Sequence, residues 1–224
     1  MVNDTAETLD AYEHWAPDYP PMPHNPLMRA EQLAMLRHWP ELAGRRALDL
    51  ACGSGRYALI MAKEARQVVA VDFSPSMLSQ VTSGSRVRAE MSRLPFRSGA
   101  FHVVICGLAV AHAPDLDAWM GEVARVLTAD GVLLYSDFHP EASRAGMTRS
   151  FKDRSGHRRD VPHRRYDLEA HRQAALSAGL TIQRSEEIRV GAQLNEAFPG
   201  SREVYARWEG MPMILVVRAA KVRT

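Results

Sequence analysis

Short apolar runs recur along the chain, and polar or helix-patterned segments separate them. Residues 47–50, 68–71 and 132–136 are largely apolar, and 101–106 is apolar except for one histidine. Continuous rather than alternating apolarity is typical of strands that are covered on both faces of a parallel sheet. The pattern therefore predicts an α/β domain whose central strands are enclosed by helices.

The clearest helical pattern lies between the last two of these runs. Apolar residues recur there at helical spacing, which predicts a helix whose apolar stripe packs on the sheet. They are Leu116, Trp119, Met120, Val123, Val126 and Leu127. Asp115 precedes this helix as a cap, and Asn25-Pro26 and Ser74-Pro75 are further helix-start signals. Asn and Ser cap helices, and proline suits the first helical turn.

The remaining elements are weaker in pattern but complete the sheet. Residues 86–90 predict a short third strand, and 180–190 and 211–221 predict the last two strands. A helix over 167–178 is closed by Gly179, since glycine is the usual residue after a helix end.

A glycine turn directly follows the first strand. Gly53 and Gly55 allow the backbone to turn sharply and to approach a ligand. With Ala58 the spacing is G-x-G-x-x-A, the pattern of dinucleotide-type sites. Asp72 ends the second apolar run, 19 residues after Gly53, where a carboxylate that binds a ribose is expected. Strand, turn, helix and terminal Asp together predict a nucleotide-like ligand.

Asp49 narrows the choice of ligand. Its carboxylate lies four positions before Gly53, at the mouth of the turn, where it would repel a pyrophosphate. A ligand with an ammonium group and no phosphate would be attracted, and S-adenosylmethionine is such a ligand. The alternative is that Asp49 only caps the turn.

Three segments resemble motifs of the class I S-adenosylmethionine-dependent methyltransferases. Residues 49–55, with the sequence DLACGSG, resemble the first motif of that family, and 71–78 and 90–96 resemble later motifs. The similarity covers residues from about 12 to 134 and is loose beyond them. It implies a doubly wound, Rossmann-like sheet of seven mostly parallel strands, with an antiparallel last strand. It also implies S-adenosyl-L-methionine as cofactor and S-adenosyl-L-homocysteine as product.

The resemblance and the glycine turn together assign the cofactor-binding residues. The predicted set is Asp49, Ala51, Gly53, Gly55, Asp72, Phe73, Met77, Glu90, Met91, Cys106, Tyr19 and Arg29. In the family, residues at the positions of Phe73 and Met77 flank the adenine. Glu90 stands where Asp is usual and would accept the adenine amino proton. Arg29 would hold the donor carboxylate, and a solvated arginine is the alternative.

Three segments are predicted to shape the site within a single domain over residues 1–224. Residues 1–24 resemble the lid of the family and contain Tyr12, Trp15 and Tyr19; surface packing of an amino-terminal arm is the alternative. Residues 139–166 and 191–210 are predicted as inserts over the acceptor site. The first insert is rich in arginine, so it would attract an anionic acceptor or an acidic acyl carrier protein. A solvated hairpin around Ser155 is the alternative.

Two histidines are candidates for a catalytic role. His139 follows the fifth strand and is the first candidate for a general base. His112 follows the fourth strand and is the second, with a histidine bonded to backbone as the alternative. A base is needed only for a neutral hydroxyl or an activated carbon.

Composition limits the partners. The chain has 224 residues and a formal net charge of +2, so no overall field favours nucleic acid. Residues 1–10 do not resemble a secretory signal, no apolar run can cross a membrane, and a cytoplasmic protein is expected. No C-x-x-C occurs and the histidines lack ligand spacing, so no metal site is expected. Cys52 and Cys106 are expected to be free thiols that could be neighbours at the ligand site.

The sequence predicts a methyltransferase that acts on a small molecule, at oxygen, as a monomer or homodimer. Methyl ester formation on an acidic or acyl-carrier-bound carboxylate is the alternative within the family. From other classes, a non-catalytic S-adenosylmethionine-binding protein or an NAD-dependent Rossmann protein stays open.

Overall fold

The structure, a computed structural model, describes residues 4–197 and 200–221. Residues 1–3 of the predicted lid and residues 198–199 of the second predicted insert lie outside the described part. The strands, in chain order, are β1 Arg46–Leu50, β2 Gln67–Asp72, β3 Ser85–Arg88, β4 Phe101–Cys106, β5 Leu127–Phe138, β6 Ser150–Lys152, β7 Arg158–Asp160, β8 Leu180–Arg189 and β9 Pro212–Lys221.

Seven of these strands form one sheet in the order β3-β2-β1-β4-β5-β9-β8. The pairs among β1 to β5 are parallel, whereas β9 is antiparallel to both of its neighbours. β6 and β7 form a separate antiparallel hairpin. The predicted seven-stranded, mostly parallel sheet with an antiparallel last strand is confirmed.

Helices cover both faces of the sheet. They are α1 Asp4–Trp15, α2 Pro26–Arg37, α3 Arg56–Met61, α4 Pro75–Ser79, α5 Leu116–Val126, α6 Pro140–Arg144, α7 Leu168–Ser177, α8 Ala192–Ala197 and α9 Ser201–Val204. The predicted caps form: Asn25, Ser74 and Asp115 each accept a hydrogen bond from a backbone N–H of the first helical turn.

The core divides into two layers because each central strand is buried on both faces. Leu48, Leu50 and Trp119 belong to the layer under α5 and α7. Ala47 and Tyr57 belong to the layer under α2 and α3. The predicted helical stripe is therefore core, as its apolar spacing indicates.

Two strand boundaries differ from the sequence prediction, and two short helices are additional to it. β5 begins at Leu127 rather than at residue 132, because Leu127 pairs with Phe101 ahead of a register shift. β3 ends at Arg88, and Glu90 instead forms an isolated bridge with Arg93 in a tight turn. Helices α6 and α8 are too short to give a periodic pattern, and the sequence did not predict them.

Candidate active site

A cavity of about 240 Å³ opens where the carboxyl ends of β1, β2 and β4 meet. Parallel strands bring these ends to the same edge of the sheet, and open α/β sheets bind ligands there. The segment after β3 and the inner face of α1 complete the wall. Residues far apart in sequence therefore face one space.

The glycine turn forms the floor of the cavity. Gly53 and Gly55 have φ angles of 54° and 86°, a left-handed conformation that glycine adopts without steric cost. Gly53 lines the cavity, whereas Gly55 does not. A Cβ on Gly55 would lie 3.1 Å from the Val81 side chain, so Gly55 is needed for packing.

Asp72 holds the turn against the end of β2. Its Oδ2 accepts from the Gly53 backbone N–H at 2.7 Å, and its Oδ1 accepts from the Ser74 N–H at 2.9 Å. Each carboxylate oxygen retains a second lone pair, so both can accept a further hydrogen bond from a ligand. Burial raises the pKa of Asp72 even though these backbone bonds act to lower it.

Asp49 lines the cavity and also makes the capping contact that was its alternative role. Its Oδ2 accepts from the Ala58 backbone N–H at 2.6 Å, which caps the start of α3. The residue is only 1% exposed. Burial raises its pKa to about 7, against the Ala58 bond and the charge of Arg56, which act to lower it.

Two non-glycine residues have strained backbone at the cavity. Ala51 and Leu108 have φ angles of 52° and 54°, a region that costs an L-residue free energy. Among residues 4–197 and 200–221 they are the only non-glycine residues with positive φ, and both line the cavity. Strain of this kind is concentrated at functional sites because the surrounding structure must be built to maintain it.

A buried polar network lies beside the glycine turn. The Glu31 carboxylate is fully buried and accepts from the Tyr57 hydroxyl at 2.8 Å and from the Ser136 hydroxyl at 2.6 Å. Its Oε2 forms an ion pair with Arg56 at 2.8 Å. Arg56 and Tyr57 also line the cavity. No sequence motif predicts this network, although Arg56 directly follows Gly55.

A second polar cluster closes the opposite end of the cavity, around His112. Its Nδ1 lies 3.0 Å from the Pro162 carbonyl oxygen, and its Nε2 lies 3.0 Å from both the Tyr12 hydroxyl and the Arg149 guanidinium. A carbonyl only accepts, so Nδ1 carries the hydrogen and Nε2 is the acceptor. Burial and the charge of Arg149 lower the pKa of His112 well below its ordinary value. His112 is therefore neutral at neutral pH.

Helix α1 covers the cavity. Thr5, Thr8, Leu9 and Tyr12 line it from this helix. The Glu13 carboxylate holds α1 to α4 by accepting hydrogen bonds from the Ser74 and Ser76 hydroxyls. At the helix end Trp15 stacks on Phe151 of the β6–β7 hairpin, with ring centroids 4.6 Å apart.

Most of the residues predicted to bind the cofactor line this cavity. They are Tyr19, Asp49, Ala51, Gly53, Asp72, Phe73, Glu90 and Met91. Four others do not. Gly55 packs on Val81, Met77 and Cys106 are buried, and Arg29 is exposed on α2.

The two predicted catalytic histidines lie in different places. His112 lines the cavity. His139 caps α6: its Nδ1 accepts from the Glu141 N–H, and its Nε2 lies 3.5 Å from Glu187. The imidazole of His139 is not among the groups that line the cavity. Its catalytic role stays a prediction.

The two predicted inserts also differ in position. From 139–166, Arg149 lines the cavity, and this segment contains the β6–β7 hairpin. No described residue of 191–210 lines it, and helix α8 packs on α2 instead. Cys52 and Cys106 are free thiols in opposite core layers, and Cys52 alone of the two lines the cavity.

Two kinds of feature are absent from the described residues. No helix in the described ranges is long and apolar enough to cross a membrane. No group of histidine, cysteine and acidic side chains there is arranged to hold a metal ion.

Comparison with known proteins gives one family. A methyltransferase domain family matches residues 48–135. The demethylmenaquinone methyltransferase of Thermus thermophilus is 34% identical over 122 residues, which are 50% of this chain and 53% of that protein. The malonyl-[acyl-carrier protein] O-methyltransferase of Legionella pneumophila is 32% identical over 110 residues, 45% of this chain and 39% of that protein. The chain thus spans about half or less of the curated relatives it matches.

Among solved structures, an S-adenosylmethionine-dependent methyltransferase from Mesorhizobium loti has a similar fold. It gives a TM-score of 0.70 with 22% sequence identity, over 86% of this chain and 98% of that one. At this identity the likeness concerns the fold.

Proposed function

We propose that this chain, which belongs to the class I S-adenosylmethionine-dependent methyltransferases, transfers a methyl group from S-adenosylmethionine to a small-molecule acceptor. One observation carries the proposed activity. Asp49, Gly53 and Asp72, which the sequence motifs single out, converge on a single cavity at the edge of the sheet.

The lining of the cavity fits a nucleoside without phosphates. Asp72 offers two oxygens for the ribose hydroxyls. Ser92, a residue of the cavity lining, has a buried hydroxyl with no hydrogen-bond partner among the described residues. A group on the base would supply that partner. The carboxyl groups of Asp49, Asp72 and Glu90 would repel a pyrophosphate.

The order of the strands gives the ligand a direction. Asp72 ends β2, and Glu90 and Met91 follow β3, so these residues would hold the nucleoside end. Gly107 and His112 follow β4 on the other side of β1. The reacting end of the donor and the acceptor would therefore lie on the β4 and β5 side.

When bound, S-adenosylmethionine supplies a methyl group on a sulfonium, which is already a good leaving group. The residues of the chain then mainly align the two reactants and exclude water. Alignment of this kind is worth about 7–11 kcal/mol in favourable cases. Helix α1 and the His112 cluster would enclose the reactants.

His112 is the candidate general base that lines the cavity. His112 is neutral, and its Nε2 lone pair already accepts hydrogen bonds from its neighbours. It therefore serves as a base only if an acceptor displaces both Tyr12 and Arg149 from Nε2. An acceptor that is already a carboxylate needs no base.

The acceptor is proposed to be a small molecule methylated at oxygen. Methyl ester formation on a carrier-bound carboxylate is the second candidate. It is favoured by the similarity to the malonyl-[acyl-carrier protein] O-methyltransferase and by the arginines of 139–166. A cytoplasmic location and a monomeric or dimeric state remain predictions.

Calorimetric titration with S-adenosylmethionine, S-adenosylhomocysteine and NAD tests the proposed ligand. We expect the first two to bind with micromolar affinity and NAD to give no heat, because a pyrophosphate would meet the acidic lining. Binding of NAD alone would favour an oxidoreductase. Binding of S-adenosylmethionine without turnover on any acceptor would instead indicate a non-catalytic protein.

A further inference from the structure

Among the described residues, Arg149 is the one arginine or lysine that lines the cavity at the end away from the nucleoside residues. Arg149 directly precedes β6, in the segment that follows β5. The proposed nucleoside residues instead lie at the end of β2 and after β3. The cavity has a second arginine, Arg56, but Glu31 neutralises it in a buried ion pair at 2.8 Å. Arg149 forms no ion pair with a carboxylate of the described residues.

Arg149 is held both at its backbone and at its side chain. The Arg149 backbone carbonyl accepts from the Val161 N–H at 2.7 Å, which closes the base of the hairpin. Its guanidinium donates to His112 Nε2 at 3.0 Å. His112 is itself fixed by the Pro162 carbonyl, so the guanidinium is oriented before any ligand binds.

Most of the hydrogen-bonding capacity of Arg149 is unused. A guanidinium has five N–H donors in a rigid fork, and its bond to His112 uses one side of that fork. The side chain is half-buried and lines the cavity. A fixed, partly desolvated and unpaired arginine is suited to bind an anionic oxygen group in bidentate fashion.

We propose that Arg149 binds an anionic oxygen group, a carboxylate or a phosphate, of the methyl acceptor. The acceptor is then an anion, and His112 is the residue that positions Arg149 to receive it. This inference rests on the proposed methyltransferase function, because that function makes the β4 and β5 side the acceptor end.

The donor itself carries a carboxylate, so the two sources of that group must be separated. If Arg149 held the carboxylate of the donor, loss of the arginine would weaken the binding of S-adenosylhomocysteine. If it holds the acceptor, the affinity for S-adenosylhomocysteine stays unchanged. Measuring both affinities on the same variants therefore tests the assignment.

The experiment is calorimetry on the full chain saturated with S-adenosylhomocysteine. Benzoate, malonate and inorganic phosphate are the anionic probes, and benzamide and malonamide are the uncharged controls. The variants are Arg149→Met, which removes the charge, and Arg149→Lys, which keeps it without the fork. Arg158→Met is the matched control, since Arg158 lies on the same hairpin, is exposed and pairs with Asp160.

We expect at least one anion to bind the wild type and its uncharged counterpart not to bind. Arg149→Met should lower the affinity for that anion about tenfold or more, and Arg149→Lys should lower it less. Arg158→Met should match the wild type, and S-adenosylhomocysteine should bind all four proteins alike. A preference for carboxylates or for phosphate identifies the source of the anionic group.

Three results would overturn the inference: no anion binds the wild type, Arg149→Met binds the anions as well as the wild type does, or Arg149→Met loses S-adenosylhomocysteine. If S-adenosylhomocysteine fails to bind the wild type, the proposed function fails instead. The anion titrations on the free protein still report on Arg149 in that case.

Discussion

The Asp49 carboxyl group contacts both the backbone and the cavity. One oxygen caps α3 through the Ala58 N–H, while the residue also lines the ligand cavity. Because burial raises its pKa to about 7, the group carries only part of its charge at neutral pH. A cationic ligand beside it would favour the ionised form.

This arrangement predicts a pH dependence of donor binding. Above pH 7 the free protein is already ionised at Asp49, and the affinity for S-adenosylmethionine should be at its maximum. Below pH 7 binding must release a proton, so the affinity should fall by up to about tenfold per pH unit. Calorimetry between pH 6 and pH 8 measures the change.

Asp49→Asn is the control for this prediction. Its side-chain oxygen can still cap the Ala58 N–H, but it cannot ionise. The variant should bind more weakly at pH 8 and show no such fall toward pH 6. The ligand itself titrates in the same way with both proteins. If affinity changes with pH equally in Asp49→Asn and in the wild type, Asp49 is therefore not the cause of the pH dependence.

Helix α1 is the element whose attachment bears most on the cavity. Glu13 holds it to the start of α4 through Ser74 and Ser76, and Trp15 holds it to the hairpin. Burial acts to raise the pKa of Glu13, but the hydrogen bonds from Ser74 and Ser76 outweigh it and lower the pKa. The carboxylate therefore stays ionised at neutral pH.

Replacing Glu13 by Ala should release α1 without unfolding the sheet. We expect S-adenosylhomocysteine to dissociate faster and its affinity to fall about three- to tenfold, because α1 covers the cavity proposed to hold the ligand. Stopped-flow dissociation and limited proteolysis of the amino-terminal segment measure this. Glu7→Ala, an exposed carboxylate on the same helix, is the control. Equal dissociation rates in both variants would contradict a lid role for α1.

At the scale of the whole molecule, Asp137 is a buried acid that costs stability when it ionises. Its Oδ1 accepts from the Ala111 and Phe138 N–H groups, while its Oδ2 lies 3.8 Å from His171. Burial raises the pKa of Asp137 to about 7 and lowers that of His171 to about 4. The folded protein therefore binds the Asp137 proton more tightly than the unfolded chain does.

The sign of the effect follows from these pKa values. Between about pH 4 and pH 7 the unfolded chain loses the Asp137 proton first, so the contribution of Asp137 to stability falls as the pH rises. Asp137→Asn keeps the Oδ1 bonds and cannot ionise. At pH 8 it should raise the free energy of unfolding by about 1–4 kcal/mol, and at pH 4 it should change little. Urea titrations at pH 4 and pH 8 measure the free energy of unfolding of both proteins. If Asp137→Asn is no more stable than the wild type at pH 8, ionisation of Asp137 does not cost stability.

The sequence predicts the sheet and the nucleoside half of the site because both depend on local patterns. Continuous apolar runs identify the strands, and Gly53 and Asp72 lie at a spacing set by one strand–turn–helix unit. The acceptor half of the site depends on contacts between residues that have no fixed spacing in the sequence. Tyr12 and His112 are 100 residues apart, and Arg149 and His112 are 37 apart, so only the folded chain brings them together.

The most direct test of the donor site is the affinity of S-adenosylhomocysteine for Asp72→Asn, beside the wild type and the exposed-surface control Glu64→Gln. Asp72 is the proposed ribose ligand, so the account predicts micromolar binding by the wild type and the control. It predicts binding weakened by about tenfold or more in Asp72→Asn, with thermal unfolding showing a folded protein. Equal affinity in all three proteins would contradict the account, because the ligand would then not contact Asp72.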